Sequence, residues 1–121
     1  MSNAINTIQI GGKIMSGKIL QINFKFNVTA SEYVEAVTPL ASDIAAVPGM
    51  LWKVWLMNEA ENEAGGIYWF QDEESLKAYL DGPIVAGIAS HPALEDISVK
   101  AFDSISQLSE ITNGPVFSSA A

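Results

Sequence analysis

A lysine in the middle of an apolar run is the residue in this chain that most asks for chemistry. Lys53 interrupts MLWKVWLM, residues 50–57, where its neighbours are otherwise large and apolar. Lysine is almost never fully buried without a partner. Lys53 therefore carries its amine to solvent, pairs with a carboxylate such as Glu63 or Asp103, or binds an anionic substrate and polarises a phenolate. All three tryptophans, Trp52, Trp55 and Trp69, fall in the same region, with Tyr68 beside the last. The Tyr68 hydroxyl either points into a pocket or is satisfied at its rim. Glu63 ends the acidic loop NEAENEAGG, within reach of Lys53 across a hairpin or as part of a plain solvated loop. We take Lys53 and Tyr68 as candidate catalytic residues, and Trp52, Trp55, Trp69 and Glu63 as candidate substrate contacts.

Scarcity narrows the chemistry further. With His91 as the one histidine and no cysteine, a single chain cannot assemble a zinc site or a two-histidine iron site, so no metal is expected. His91 suits a general base because imidazole titrates near neutrality, but beside Pro92 it also reads as an ordinary surface histidine. Gly11-Gly12 and Gly65-Gly66 match neither the dinucleotide nor the phosphate-loop pattern, so no nucleotide cofactor is expected. Fourteen acidic against six basic residues, a net charge of −8 and no basic cluster exclude nucleic acid as a partner. No apolar run approaches the roughly 18 residues of a membrane span. The start, MSNAINTIQIGGKIM, lacks a cationic segment followed by a continuous apolar one, so the expectation is a soluble, cytoplasmic protein, with which the absence of cysteine agrees.

The elements that must position these residues follow from periodicity. A length of 121 residues fits one domain, which we place at 18–106, with an extension over 1–17 and a turn and tail over 107–121. KILQINFKF alternates as a strand with Leu20, Ile22, Phe24 and Phe26 on one face. Thr29 and Glu32 form a capping box, with Val28 and Tyr33 as its hydrophobic staple, opening a helix to about Val47 that Pro39 should kink. MLWKVWLM and IYWF read as a hairpin, and Asp72 caps a helix over EESLKAYL. Residues 84–93, IVAGIASHPA, have no clear period and read as a helical turn or a flap. LEDISVKAF is a fourth strand, and QLSEIT a final helical turn.

This βαββαβ order specifies an α+β, ferredoxin-like fold: a four-stranded antiparallel sheet with both helices on one face. Alternation puts Leu51, Lys53, Trp55 and Met57 on one side of their strand and Trp52, Val54 and Leu56 on the other. Trp52 and Trp55 therefore cannot face the same pocket, and neither can Tyr68 and Trp69. A sheet apolar on both faces but covered on one requires a second copy, most simply a homodimer packed sheet to sheet as an α+β barrel.

The residues also carry a family likeness. PGMLWKVW, EAGGIYWF, DEESLKAYL and the late KAFD resemble the bacterial YdhR-type mono-oxygenase family of the dimeric α+β barrel superfamily, over about residues 16–112. The resemblance implies the same fold and dimer. It also implies an oxygenase working without metal or flavin on an aromatic or polycyclic phenol, as in antibiotic biosynthesis. Such chemistry asks for an apolar, aromatic-lined pocket, a base or hydrogen-bond acceptor, and exclusion of water. Trp55 or Trp52 and Tyr68 would wall that pocket, with Lys53 as its polar contact. The Asn, Trp and Tyr cluster of the better-understood relatives has no motif match here. Members begin near Met15, so residues 1–14 are expected to be loosely attached. The competing readings are a non-catalytic dimer holding an apolar ligand, an isomerase or cyclase on the same scaffold, and a haem degrader using His91 as iron ligand.

Overall fold

Strand β1 (Lys18–Phe26) follows the alternation of its sequence, with Leu20, Ile22, Phe24 and Phe26 buried and the residues between them half-buried. This is a computed structural model describing residues 17–116, so the expectation for residues 1–14 lies outside the described residues. After β1 come α1 (Ala30–Val37), α2 (Leu40–Ala45), β2 (Met50–Asn58), β3 (Glu63–Phe70), α3 (Glu73–Leu80), α4 (Pro83–Ser90), β4 (Leu94–Asp103) and α5 (Ser106–Ile111). The strands form one sheet in the order β2-β3-β1-β4, every neighbour antiparallel. The fold is the ferredoxin-like α+β arrangement expected from the element order.

Capping chemistry begins the helices where the sequence puts it. The Thr29 hydroxyl accepts from the Glu32 amide at 3.1 Å, and the Glu32 carboxylate accepts from the Thr29 amide at 2.9 Å. The Asp72 carboxylate accepts from the Ser75 amide at 2.8 Å and starts α3. Together these satisfy amides that would otherwise lack partners at the helix ends. The helix expected to run to Val47 with a kink is instead two helices, because Pro39 has no N–H to donate and the hydrogen-bonded run stops at Thr38. The open choice over residues 84–93 resolves as a helix, with Pro83 in its first turn and Gly82 as its N-cap.

Register decides which side chains share a face. Leu20 and Lys53 both lie opposite Tyr68, while Trp55 lies opposite Gly66 and Met57 opposite Ala64. These residues share the face that the helices cover. Trp52 and Ile19 both lie opposite Trp69, and Val54 and Gln21 opposite Ile67. These occupy the other face. The core is the helix side of the sheet, where Leu20, Ile22, Tyr68 and Phe70 pack with Ile44, Leu76, Tyr79 and Ile88. Each large apolar side chain buried there contributes roughly 1.5–3 kcal/mol.

Candidate functional site

Between the sheet and helices α1, α2 and α4 lies a mostly apolar cavity of about 580 Å³. The sheet supplies Phe24, Lys53, Trp55, Gly65 and Tyr68, while α1 and α2 contribute Tyr33, Val37, Leu40, Asp43 and Ile44. Helix α4 closes a third side with Ile84, Gly87 and Ile88, and His91 stands at its C-terminal end. A cleft of this size with few polar groups is the usual form of a small-molecule site.

Lys53 is the cation of the cavity. Its Nζ sits 3.4 Å from the centroid of the Trp55 ring and 4.6 Å from that of Tyr68, so two aromatic faces hold it. The ion pair considered for it does not form, and strand geometry explains why. Asp103 is on β4, three strand spacings or about 14 Å from β2, and it pairs there with Lys18. Glu63 lies opposite Lys25, on the other face, where its carboxylate accepts from Asn23 at 3.3 Å. Among the described residues no carboxylate lies within 4 Å of Lys53. Burial without a counter-charge lowers its ammonium to about 8.

The lysine stem lies across its neighbouring strand because residue 66 has no side chain. A Cβ on Gly66 would overlap Lys53 Cε and stand 3.3 Å from Nζ. Gly66, in a pair that fails as a phosphate loop, thus gives the amine its place, while Gly65 lies against the backbone of Ile22 and Asn23 on β1.

The hydroxyls of the cavity divide into used and unused. Tyr68 and Tyr79 hydrogen-bond to each other at 2.9 Å. Burial raises both tyrosines above their ordinary range, with the neighbouring hydroxyl adding to the shift at Tyr68. Tyr68 therefore presents Lys53 with its ring while its hydroxyl is engaged by Tyr79. Tyr33 is only 5 % exposed, stacks on Phe26 at 5.2 Å between centroids, and has no hydrogen-bond partner for its hydroxyl among the described residues. Desolvation pushes it up to about 12, so it stays a neutral hydroxyl that can donate or accept. The staple reading treated Tyr33 as packing alone. Its signal was the hydroxyl itself, which a staple does not need.

The candidates thus separate into two groups. Lys53, Tyr68 and Trp55 line the cavity together, and His91 joins them at its edge. The His91 Nδ1 accepts from the Ala93 amide at 3.1 Å, which places the ring proton of the neutral imidazole on Nε2. Trp52, Trp69 and Glu63 lie on the opposite face of the sheet. Trp52 donates its indole N–H to the Pro115 carbonyl at 2.8 Å, and Trp69 is buried beneath Gly17, where a Cβ would overlap its ring.

Comparison with known proteins bears on the fold and the family. The cofactor-independent oxygenase SnoaB from Streptomyces nogalater matches at 16% identity and a TM-score of 0.62, covering 74% of this chain and 93% of its own. A "putative antibiotic biosynthesis monooxygenase" from Caulobacter crescentus matches at 18% identity and a TM-score of 0.62, covering 74% of this chain and 91% of its own. The heme-degrader MhuD from Mycobacterium tuberculosis matches at 22% identity and a TM-score of 0.55, covering 72% of this chain and 95% of its own. At such identities these likenesses speak for the fold. No curated protein sequence matches the chain. The sequence pattern of a family described as "Putative mono-oxygenase ydhR" matches residues 19–115, which take in the residues lining the cavity and Gly66 against Lys53, and the chain belongs to that family.

Proposed function

We propose that this protein is a cofactor-independent mono-oxygenase for an aromatic or polycyclic phenol, bound in the cavity between sheet and helices. The observation that carries the reading is Lys53: an amine without a carboxylate partner, facing an apolar cavity and flanked by Trp55 and Tyr68. A phenolate supplies the negative charge that the lysine lacks, and its flat ring suits aromatic walls. Membership of the family and the fold shared with SnoaB support the oxygenase class.

Each cavity residue then has a task. The neutral fraction of Lys53 takes the phenol proton, and the resulting ammonium holds the phenolate oxygen. Tyr33 offers a hydroxyl to a second oxygen on the ring system, and Trp55 and Tyr68 wall the substrate. The deprotonated substrate gives electrons to dioxygen directly. One oxygen atom enters the ring, and the other leaves as water with two substrate hydrogens. The apolar walls that α1, α2 and α4 set over the sheet limit the water around the deprotonated ring.

Oxygen uptake by metal-free protein, tested on hydroquinones, anthrones and flavonoids, checks the proposal. Turnover with one oxygen atom incorporated from labelled dioxygen supports it, and no uptake on any of them contradicts it. A second reading has one observation behind it: His91 borders the same cavity, where ligation through Nε2 would require the ring proton to move to Nδ1 and the Ala93 hydrogen bond to break. If His91 binds haem, the Soret band will shift on titration, and the shift will vanish in His91→Ala. We also propose that the open sheet face pairs two copies into a homodimer, since Val54 and Phe102 stand about half exposed on it.

A further inference from the structure

We propose that the cavity also takes an apolar aldehyde or ketone, held covalently as an imine on Lys53 Nζ. The inference rests on the cavity reading above only in using the same ligand site, and it requires no oxygen chemistry.

Three features of the site favour the bond. Among the described residues no carboxylate lies within 4 Å of the amine to keep it protonated, the other titratable groups on the cavity wall being Asp43, Tyr33, Tyr68 and His91. At pH 7 an amine titrating near 8 is neutral in about one molecule in ten, against fewer than roughly one in a thousand for an ordinary lysine. The nucleophile is also held in place, with Gly66 giving its stem room and the Trp55 ring 3.4 Å from Nζ, so little freedom is lost when it reacts. An iminium, finally, is a cation like the ammonium it replaces, and it keeps the same aromatic contacts. Tyr33 lines the cavity with a hydroxyl that has no hydrogen-bond partner among the described residues, available to the oxygen of the incoming carbonyl or of the carbinolamine.

The step balances without an oxidant or reductant. The lone pair of neutral Nζ bonds to the carbonyl carbon, and the C–O π pair moves onto oxygen, which takes a proton as nitrogen loses one. A second proton delivered to that hydroxyl releases water and leaves C=N. In a ketone with an α-hydrogen the iminium then draws electrons from the adjacent C–H bond. Loss of that proton gives an enamine, the entry to isomerisation or condensation.

Reductive trapping tests this under anaerobic conditions. The full chain is incubated with 2-naphthaldehyde and cyanoborohydride, and each lysine is mapped by mass spectrometry. Lys53 is expected to be alkylated at least ten-fold faster than Lys25, Lys77 or Lys100, with a rate that climbs to a plateau above pH 8. Excess 2-naphthol should suppress that labelling. Lys53→Met, with folding checked by circular dichroism, should lose the fast adduct, and Gly66→Ala should slow it several-fold. Comparable rates at all mapped lysines, or a fast adduct that persists in Lys53→Met, would overturn the imine. If trapping fails while 2-naphthol still perturbs the Trp55 indole signal, the imine falls and the cavity reading stands. If neither occurs, both fall together.

Discussion

The two faces of the sheet are built from the same kinds of residue and behave differently. The helix face carries Lys53, Trp55 and Tyr68 around an open volume, and its lysine has no carboxylate partner among the described residues. The open face carries Trp52, Trp69 and Glu63, all of them engaged. Trp52 bonds Pro115, Trp69 lies under Gly17, and Glu63 ends a polar row in which Gln21 donates to Asn23 at 2.8 Å and Asn23 to Glu63 at 3.3 Å. Polar groups that already satisfy one another contribute to packing, and those left unsatisfied in an apolar hollow are held ready for a ligand. Composition alone does not distinguish the faces, but hydrogen-bond partners do.

Four substitutions press on that contrast. Phe70→Ala removes a fully buried ring from the helix face and should destabilise the protein by about 3–5 kcal/mol in urea unfolding. An effect below about 1 kcal/mol would mean that this face is not the core. Lys53→Met should act in the opposite direction, stabilising the fold by roughly 1–2 kcal/mol at pH 7 while abolishing phenol binding. The pH dependence has a definite sign. Because the native amine titrates near 8 and an ordinary lysine near 10.5, the unfolded chain binds more protons between those values, and wild-type stability rises with pH there. The advantage of Lys53→Met is therefore full below pH 8 and fades by about pH 10.5, as paired denaturation curves will read. A constant difference across that window would show that the amine is not desolvated.

On the open face, Val54→Lys should leave the stability of the single chain within about 0.5 kcal/mol. It should weaken the proposed dimer at least ten-fold in sedimentation equilibrium. Unchanged association would move the dimer surface elsewhere, and α5 would be the next place to look, since Ile105, Leu108 and Ile111 are exposed there. Trp52→Phe has the smallest effect, about 1 kcal/mol for one lost hydrogen bond. It should also speed amide exchange in residues 106–114 with little change near the cavity.

Local chemistry made much of this legible in the sequence. The capping residues Thr29 and Asp72, the alternation of β1 and the element order each follow from a rule acting within a few positions. Alternation also separated Trp52 from Trp55 and Tyr68 from Trp69 before any register was known. Helix α4 was harder, because a run of small apolar residues has no polar face to reveal its period. The Lys53 partners misled for a different reason. Glu63 is near in the hairpin but on the other face, and Asp103 is on the right face but three strands away, so neither sequence distance nor charge was enough without the pairing register. The family likeness implied a pocket walled by Trp55 or Trp52 and Tyr68, but its place and shape were not legible. It depends on Gly66 lying diagonally beside Lys53 and on where two helices separated at Pro39 come to rest, both properties of the assembled fold.

The division between the faces can be read directly from the indole signals. In a ¹⁵N–¹H spectrum each of Trp52, Trp55 and Trp69 gives one indole cross-peak, assigned by single substitutions to phenylalanine. On titration with 2-naphthol the account predicts that the Trp55 peak shifts in proportion to occupancy while those of Trp52 and Trp69 stay in place. Movement of Trp52 or Trp69 with Trp55 unchanged would put the ligand on the open face and contradict it.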